Sequence, residues 1–162
     1  VKPGKDSKVC YNVLEESNES MQSKADLIHV IDERIKQLIK HIQIKHPNHK
    51  VTLNCNRYKG VVHEAEPELD TTTYTINKSD IFMCLSSRDG RNEIYDTNTL
   101  MYVMIHELAH IFNDTIGHTE TFNETFIFLL QNAIEINIYS YVDYNKFPIN
   151  YCGLILDSQI LG

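Results

Sequence analysis

The sequence predicts a small α+β domain, and three observations carry that expectation. Apolar residues recur at helical spacing over residues 23–42, two stretches at 71–77 and 80–86 are rich in β-branched and aromatic residues, and residues 97–115 form an almost wholly apolar helical segment. With 162 residues, the chain can bury about 70% of its extended surface. That is enough for a core without disulfide or metal staples, so a metal here would be expected to serve chemistry.

Residues 1–22 are polar, carry Pro3 and Gly4, and have only a brief apolar patch from Val9 to Leu14. They read as a loosely attached N-terminal arm, with residues 23–162 as the single folded domain. Ser23 and Asp26 have the spacing of a capping box, and Leu27, Ile31, Ile35, Leu38 and Ile42 follow on one helical face. Pro47 closes that helix. Residues 51–58 alternate apolar and polar and read as a strand, residues 64–70 as a polar connection, and 71–77 and 80–86 as two further strands. Ser87-Arg88-Asp89-Gly90 is turn chemistry.

The helix at 97–115 is expected at the centre of the domain, because an apolar surface on all sides must be covered on all sides. Gly117 is placed to end it, and Thr121 with Glu124 has capping-box spacing for a following helix through Phe126, Leu129, Leu130, Ala133 and Ile134. Residues 153–156 read as a last short strand.

Charge narrows the function classes. Fifteen Lys and Arg stand against 22 Asp and Glu, a formal net charge of −7, which argues against a broad nucleic-acid-binding surface. No apolar run reaches the roughly 20 residues of a membrane span, and the first residues lack the apolar core of a signal peptide. The four cysteines, Cys10, Cys55, Cys84 and Cys152, contain no C-x-x-C pair and read as reduced thiols in an intracellular compartment, cytoplasm or nucleus. Abundant Ile, Asn, Lys and Tyr with little Arg and no Trp point to an AT-rich genome, a large DNA virus among the candidates. A start at Val1 instead of Met reads as a processed or excised piece with flanking segments elsewhere.

The polar exceptions in the apolar helix carry the chemistry. His106-Glu107-Leu108-Ala109-His110 is an H-E-x-x-H sequence, in which two imidazoles one helical turn apart can ligate one ion. Glu107 then reaches a water as base and is not itself a ligand. Imidazoles and a carboxylate inside an apolar helix cost several kcal/mol unless paired or metal-bound, which favours a Zn²⁺ site over an amphipathic surface. A catalytic zinc needs a third protein ligand and an open position. Asp114 lies about 12 Å along the axis from His106, too far to share the ion. His118 follows Gly117, where a reversal can fold it back, and is the expected ligand. Glu124, on the next helix, is its rival.

Four other groups carry weaker expectations. His63-Glu64 lacks a second His and is no metal motif. His41, His46 and His49 are read as solvated residues complementing a helix end. Cys10 reads as a plain thiol, with zinc-covering inhibition as the alternative. Tyr139, Tyr141, Tyr144 and Tyr151 are read mainly as core, any one of them a candidate oxyanion donor.

The segment from Cys84 to Arg88, the H-E-L-A-H helix, and Gly117-His118-Thr119-Glu120-Thr121-Phe122 together resemble the WLM zinc metallopeptidases and the related SprT/Spartan proteases over about residues 76–126. The resemblance implies a minimal zincin-like α+β fold, helices packed on a small mixed sheet with the active helix central. It also implies an edge strand, here residues 80–86, holding the substrate. It implies a monomeric zinc endopeptidase in which His106, His110 and His118 hold Zn²⁺ and Glu107 is the base, acting on protein or peptide. Some relatives digest DNA–protein crosslinks, which this acidic chain would reach only indirectly or through flanking segments. A non-catalytic zinc-containing peptide-binding module is the alternative from another class. A zinc hydrolase acting on a non-peptide bond is a further one.

Overall fold

A computed structural model of the chain describes residues 2–3, 10–11, 13, 18–60, 62–65, 73–76, 80–87, 93–152 and 154–157. Its elements run β1 (Lys2–Pro3), β2 (Cys10–Tyr11), α1 (Asn18–Lys45), α2 (Lys50–Leu53), a 3₁₀ turn (Cys55–Arg57) and β3 (Val62–Glu64). There follow β4 (Thr73–Ile76), β5 (Asp80–Met83), α3 (Thr97–Phe112), α4 (Glu120–Glu135), β6 (Ile149–Tyr151) and β7 (Leu154–Leu156). The architecture is α+β, as expected.

Helix α1 buries Ile28, Ile31, Ile35, Leu38 and Ile42 completely and packs on both α3 and α4. It begins at Asn18 and not at Ser23, so the capping-box reading is corrected. Glu19, Met21 and Gln22 are good helix formers, and Gln22 donates from Nε2 to Asp26 Oδ1 one turn on at 2.9 Å. Tyr11 is buried against this helix, its hydroxyl 3.0 Å from His29 Nδ1 and 3.3 Å from Asp32 Oδ2.

Residues 51–58 are not a strand. His49 caps α2 by accepting from Val51 N at 3.1 Å, and the segment then works on the far end of α3. Asn54 Nδ2 donates to Phe112 O at 2.8 Å and Arg57 Nη1 to Ile111 O at 3.1 Å. These carbonyls belong to the last turn of α3 and have no partner within the helix. Arg57 adds a positive charge where the helix dipole is negative and pairs with Asp114 at 2.7 Å. Period-two alternation over eight residues lost to this tertiary demand.

The sheet has the order β3-β5-β4. β3 runs parallel to β5 with Val62 opposite Ile81, and β4 runs antiparallel with Thr73 opposite Met83. β4 and β5 fall where expected, whereas β3 is a strand not read from the sequence, only its last residue, Glu64, falling in the expected polar connection. Its three residues are too few to establish a period. β5 is paired on both sides and is therefore central, which corrects its assignment as the edge. Among the described residues β4 is the edge strand that contacts α3. Residues 88–90 of the expected turn lie outside the described residues, while Ser86 bridges Ile94 and Ser87 N donates to Glu93 O at 2.8 Å on its flanks.

Glu64, at the end of β3, meets Lys24 of α1 at 2.7 Å with both side chains almost fully buried. The last strands pair as a hairpin, Tyr151 opposite Leu154. This hairpin is anchored by a Cys84–Cys152 disulfide with Cα atoms 6.6 Å apart, by Tyr151 Oη donating to Cys84 O at 2.6 Å, and by Cys152 N donating to Tyr95 Oη at 2.7 Å. The reading of all thiols as reduced is thus corrected. Two cysteines 68 positions apart carry no pairing signal until the topology joins them, and the intracellular expectation loses the support it drew from them. Cys55 is a buried free thiol. The side chain of Cys10 lies outside the described residues. No helix among them is long and apolar enough to cross a membrane.

Breaking the buried pair by Glu64→Ala should cost up to about 3–5 kcal/mol, because it removes the carboxylate that meets the almost fully buried ammonium of Lys24. The double replacement Lys24→Met with Glu64→Leu should recover most of that loss in urea unfolding. A second expectation concerns acid. Burial against Phe128, with its ring 3.8 Å away and nearly parallel, lowers the pKa of His49, and the charges of His46 and Lys50 add to this. The unfolded chain therefore binds the proton more readily. This contribution is complete above about pH 6.5 and is lost as pH falls through the folded value. His49→Asn keeps a capping acceptor that cannot titrate, so it should flatten part of the decline in urea midpoint between pH 7.5 and 5.

Candidate metal centre

Helix α3 starts cleanly: Asp96 caps it, accepting from Thr99 N at 2.9 Å and Thr99 Oγ1 at 2.7 Å. From Thr99 to Phe112 every side chain is buried except Tyr102, His106 and His110. Those three are spaced by four, so the helix is open along one stripe only. α4 covers its neighbouring face.

The helix ends at Phe112, with Asn113 as its cap, earlier than the Gly117 stop expected from sequence. Asn113 is buried and its Nδ2 donates to Thr115 Oγ1 at 2.6 Å, while Thr115 Oγ1 lies 2.7 Å from Thr119 Oγ1. Thr119, not Thr121, caps α4, accepting from Phe122 N at 3.2 Å. Gly117 adopts φ +84°, a conformation that a side chain disfavours. The loop between the helices is thereby pulled into a tight reversal, and His118 is returned to the stripe on α3.

The three imidazoles form a nearly equilateral triangle, with ring centroids 4.9 Å (His106–His110), 5.1 Å (His106–His118) and 5.0 Å (His110–His118) apart. One ligand atom from each lies within 4.8 Å of the others. His106 Nε2 and His118 Nε2 are 3.1 Å apart, close to the about 3.3 Å expected of two nitrogens on one tetrahedral zinc with 2.0–2.1 Å bonds. His106 and His110 are half-buried and His118 is exposed, so the triangle opens to solvent on one side. The donor set therefore fits a zinc ion held by three neutral imidazoles with a coordination position to spare.

Phe122 is the platform of this group. Its buried ring stands 4.3 Å from His110, 4.9 Å from His118 and 5.2 Å from His106, and Phe126 meets His106 edge-on at 5.3 Å. Glu107 is buried, its Oε1 3.5 Å from His106 Nδ1.

Glu124 is not brought into the group: it is exposed and lies 3.4 Å from Lys50 Nζ. Asp114 is spent on Arg57. His46 and His49 pack around Phe128, and His41 lies 3.5 Å from Glu135, so these histidines support α4 and are not the freely solvated residues expected. Of the tyrosines, Tyr151 is bonded to Cys84 O, Tyr141 is exposed, and Tyr139 and Tyr144 are buried against Tyr102, with centroids 5.9 and 4.9 Å from it. Tyr102 was missed from sequence, although its position four residues before His106 was the available signal. Burial raises its phenol pKa to about 12, with Tyr144 adding to the effect.

Comparison with known proteins finds similarity to proteins of large DNA viruses. It is 36% identical over 147 residues to the uncharacterized protein R325 of Acanthamoeba polyphaga mimivirus, a match covering 86% of this chain and 74% of that protein. It is also 34% identical over 95 residues to the uncharacterized protein 136R of Invertebrate iridescent virus 6 and 45% identical over 86 residues to the uncharacterized protein 042R of Invertebrate iridescent virus 3. These two matches cover 58% and 52% of this chain, and the chain spans 52% of the length of each iridescent virus protein. The chain belongs to the family of the mimivirus protein R325. No family model matches the chain. No solved structure matches it.

His118→Ala should weaken zinc binding at least tenfold and Glu124→Ala should leave it nearly unchanged. Asn113→Ala, which loosens the reversal without removing a ligand, should fall between, within the 10- to 100-fold span of outer-sphere losses or just below it. Competition against a chelator of known affinity reads all three.

Proposed function

We propose that this member of the R325 family is a zinc-dependent endopeptidase of the WLM/SprT type. The observation that carries the reading is the convergence of His106, His110 and His118 beside a buried Glu107 on one open stripe of α3. His106, His110 and His118 would hold the zinc ion, which when bound supplies a Lewis acid for a peptide carbonyl and acidifies water. Glu107 would take the proton of the attacking water as its oxygen bonds to the carbonyl carbon, and would then hand that proton to the amide nitrogen as the C–N bond breaks and the amine leaves. The rings of Phe122 and Phe126 hold the imidazoles in place during this transfer. Among the described residues β4 is bonded on one side only and contacts α3, which supports an extended protein or peptide segment adding to that edge.

Matches in a mimivirus and two iridescent viruses fit the AT-rich composition. Proteolysis of DNA–protein crosslinks is the extension of this reading suggested by the resemblance. With a net charge of −7, the chain would depend on flanking segments or a partner to reach DNA.

Glu107→Gln should keep zinc content and fold while lowering cleavage of an unfolded protein by two or more orders of magnitude. Zinc analysis beside the cleavage assay separates loss of base from loss of metal. Equal rates in the two forms would overturn the assignment of Glu107. The same assay with added DNA should show little stimulation from this chain alone; a strong gain that fades with salt would restore the DNA role.

A further inference from the structure

On the face of α1 turned toward the 3₁₀ turn lies a groove of about 640 Å³, within the range of small-ligand sites. One wall is a single helical face of α1 and the other is the chain from Cys55 to Gly60. None of its lining residues belongs to the histidine cluster.

Three lysines line it, Lys36, Lys40 and Lys59, against one carboxylate, Asp32. That carboxylate is already engaged: Oδ1 accepts from Tyr58 Oη at 2.5 Å, and Oδ2 accepts from Tyr11 Oη at 3.3 Å and meets Lys36 Nζ at 3.1 Å. Lys36 also lies 3.6 Å from Glu33, so its charge is spoken for. Lys40 and Lys59 have no acidic partner among the described residues and line the groove as two uncompensated cations. In a chain with a surplus of seven negative charges, such a place attracts anions. Ile39 and the Tyr58 ring offer apolar surface beside them, and Gln43 offers a neutral donor and acceptor.

We propose that this groove binds a small phosphorylated molecule of nucleotide size, its phosphates between Lys40 and Lys59 and its flat or apolar part against Tyr58 and Ile39. Two ammonium groups match a phosphate dianion or a short polyphosphate as point charges. The fixed Asp32–Tyr58 contact holds the aromatic wall in position. The groove is a binding site and not a second catalytic one, since its thiol, Cys55, is buried, donates to Val51 O at 3.5 Å and has its pKa pushed up to about 12 by burial.

Calorimetric titration of the full chain with ATP, inorganic tripolyphosphate and adenosine tests this. Saturable ATP binding is expected, with tripolyphosphate retaining affinity and adenosine losing it at least tenfold. Lys40→Glu with Lys59→Glu should abolish ATP binding while the thermal unfolding midpoint stays within a few degrees. His106→Ala, which disrupts the histidine cluster, should leave ATP binding unchanged. Should the double variant unfold, Lys40→Gln with Lys59→Gln should still weaken ATP at least tenfold. No binding at 5 mM, binding that survives loss of both lysines, binding lost with His106→Ala, or adenosine binding as well as ATP would each overturn the proposal. So would binding of a single-stranded oligonucleotide while ATP and tripolyphosphate stay silent.

Discussion

Helix α3 is buried on every side but one, and the remaining features of the centre follow from that constraint. A helix whose apolar residues surround its axis must be packed by α1, α4 and the sheet together. Whatever polar groups it carries must then share the gap that packing leaves. Tyr102, His106 and His110 occupy that gap because they repeat every four residues. Glu107, one position off the stripe, is buried beside them. Two imidazoles held side by side in a partly dry setting make a demand for a cation that a solvated helix face would not make.

The third histidine arrives by a different means. Asn113, Thr115 and Thr119 link the two helix ends through side-chain hydrogen bonds, and Gly117 turns the chain where other residues resist turning. The same Thr119 caps α4, so the cap that starts the helix and the loop that returns His118 are one structure. Phe122, in the first turn of that helix, touches all three imidazoles. Metal geometry here is thus an outcome of capping and packing as much as of the ligands themselves.

Support for α3 also comes from behind. Asn54 and Arg57 satisfy its last carbonyls, which ties the position of His110 to the segment following α1. The lysine-rimmed groove is built on this same segment, on its other side. The Cys84–Cys152 link and the Tyr151 bond to Cys84 fasten the C-terminal hairpin next to β5, so both ends of the sheet-to-helix connection are held.

Elements that depend on local chemistry were legible in the sequence. The apolar stripe of α1, the strands at Thr73–Ile76 and Asp80–Met83, the central helix and the H-E-x-x-H pair all follow from periodicity and residue type over a single element. The prediction that His118 joins His106 and His110 followed from a glycine just before it, even though the helix stops earlier than that glycine. Other features needed the fold. Residues 51–58 alternate like a strand, yet most of them are helical because two α3 carbonyls, those of Ile111 and Phe112, require donors there and lie more than fifty positions from Arg57 and Asn54. The short parallel strand β3, the central place of β5, the pairing of Cys84 with Cys152 and the Phe122 platform are likewise decided by contacts between distant segments. A sequence by itself determines which side chains can do chemistry and which face of one element they share; which neighbours reach that face is decided only when the elements pack.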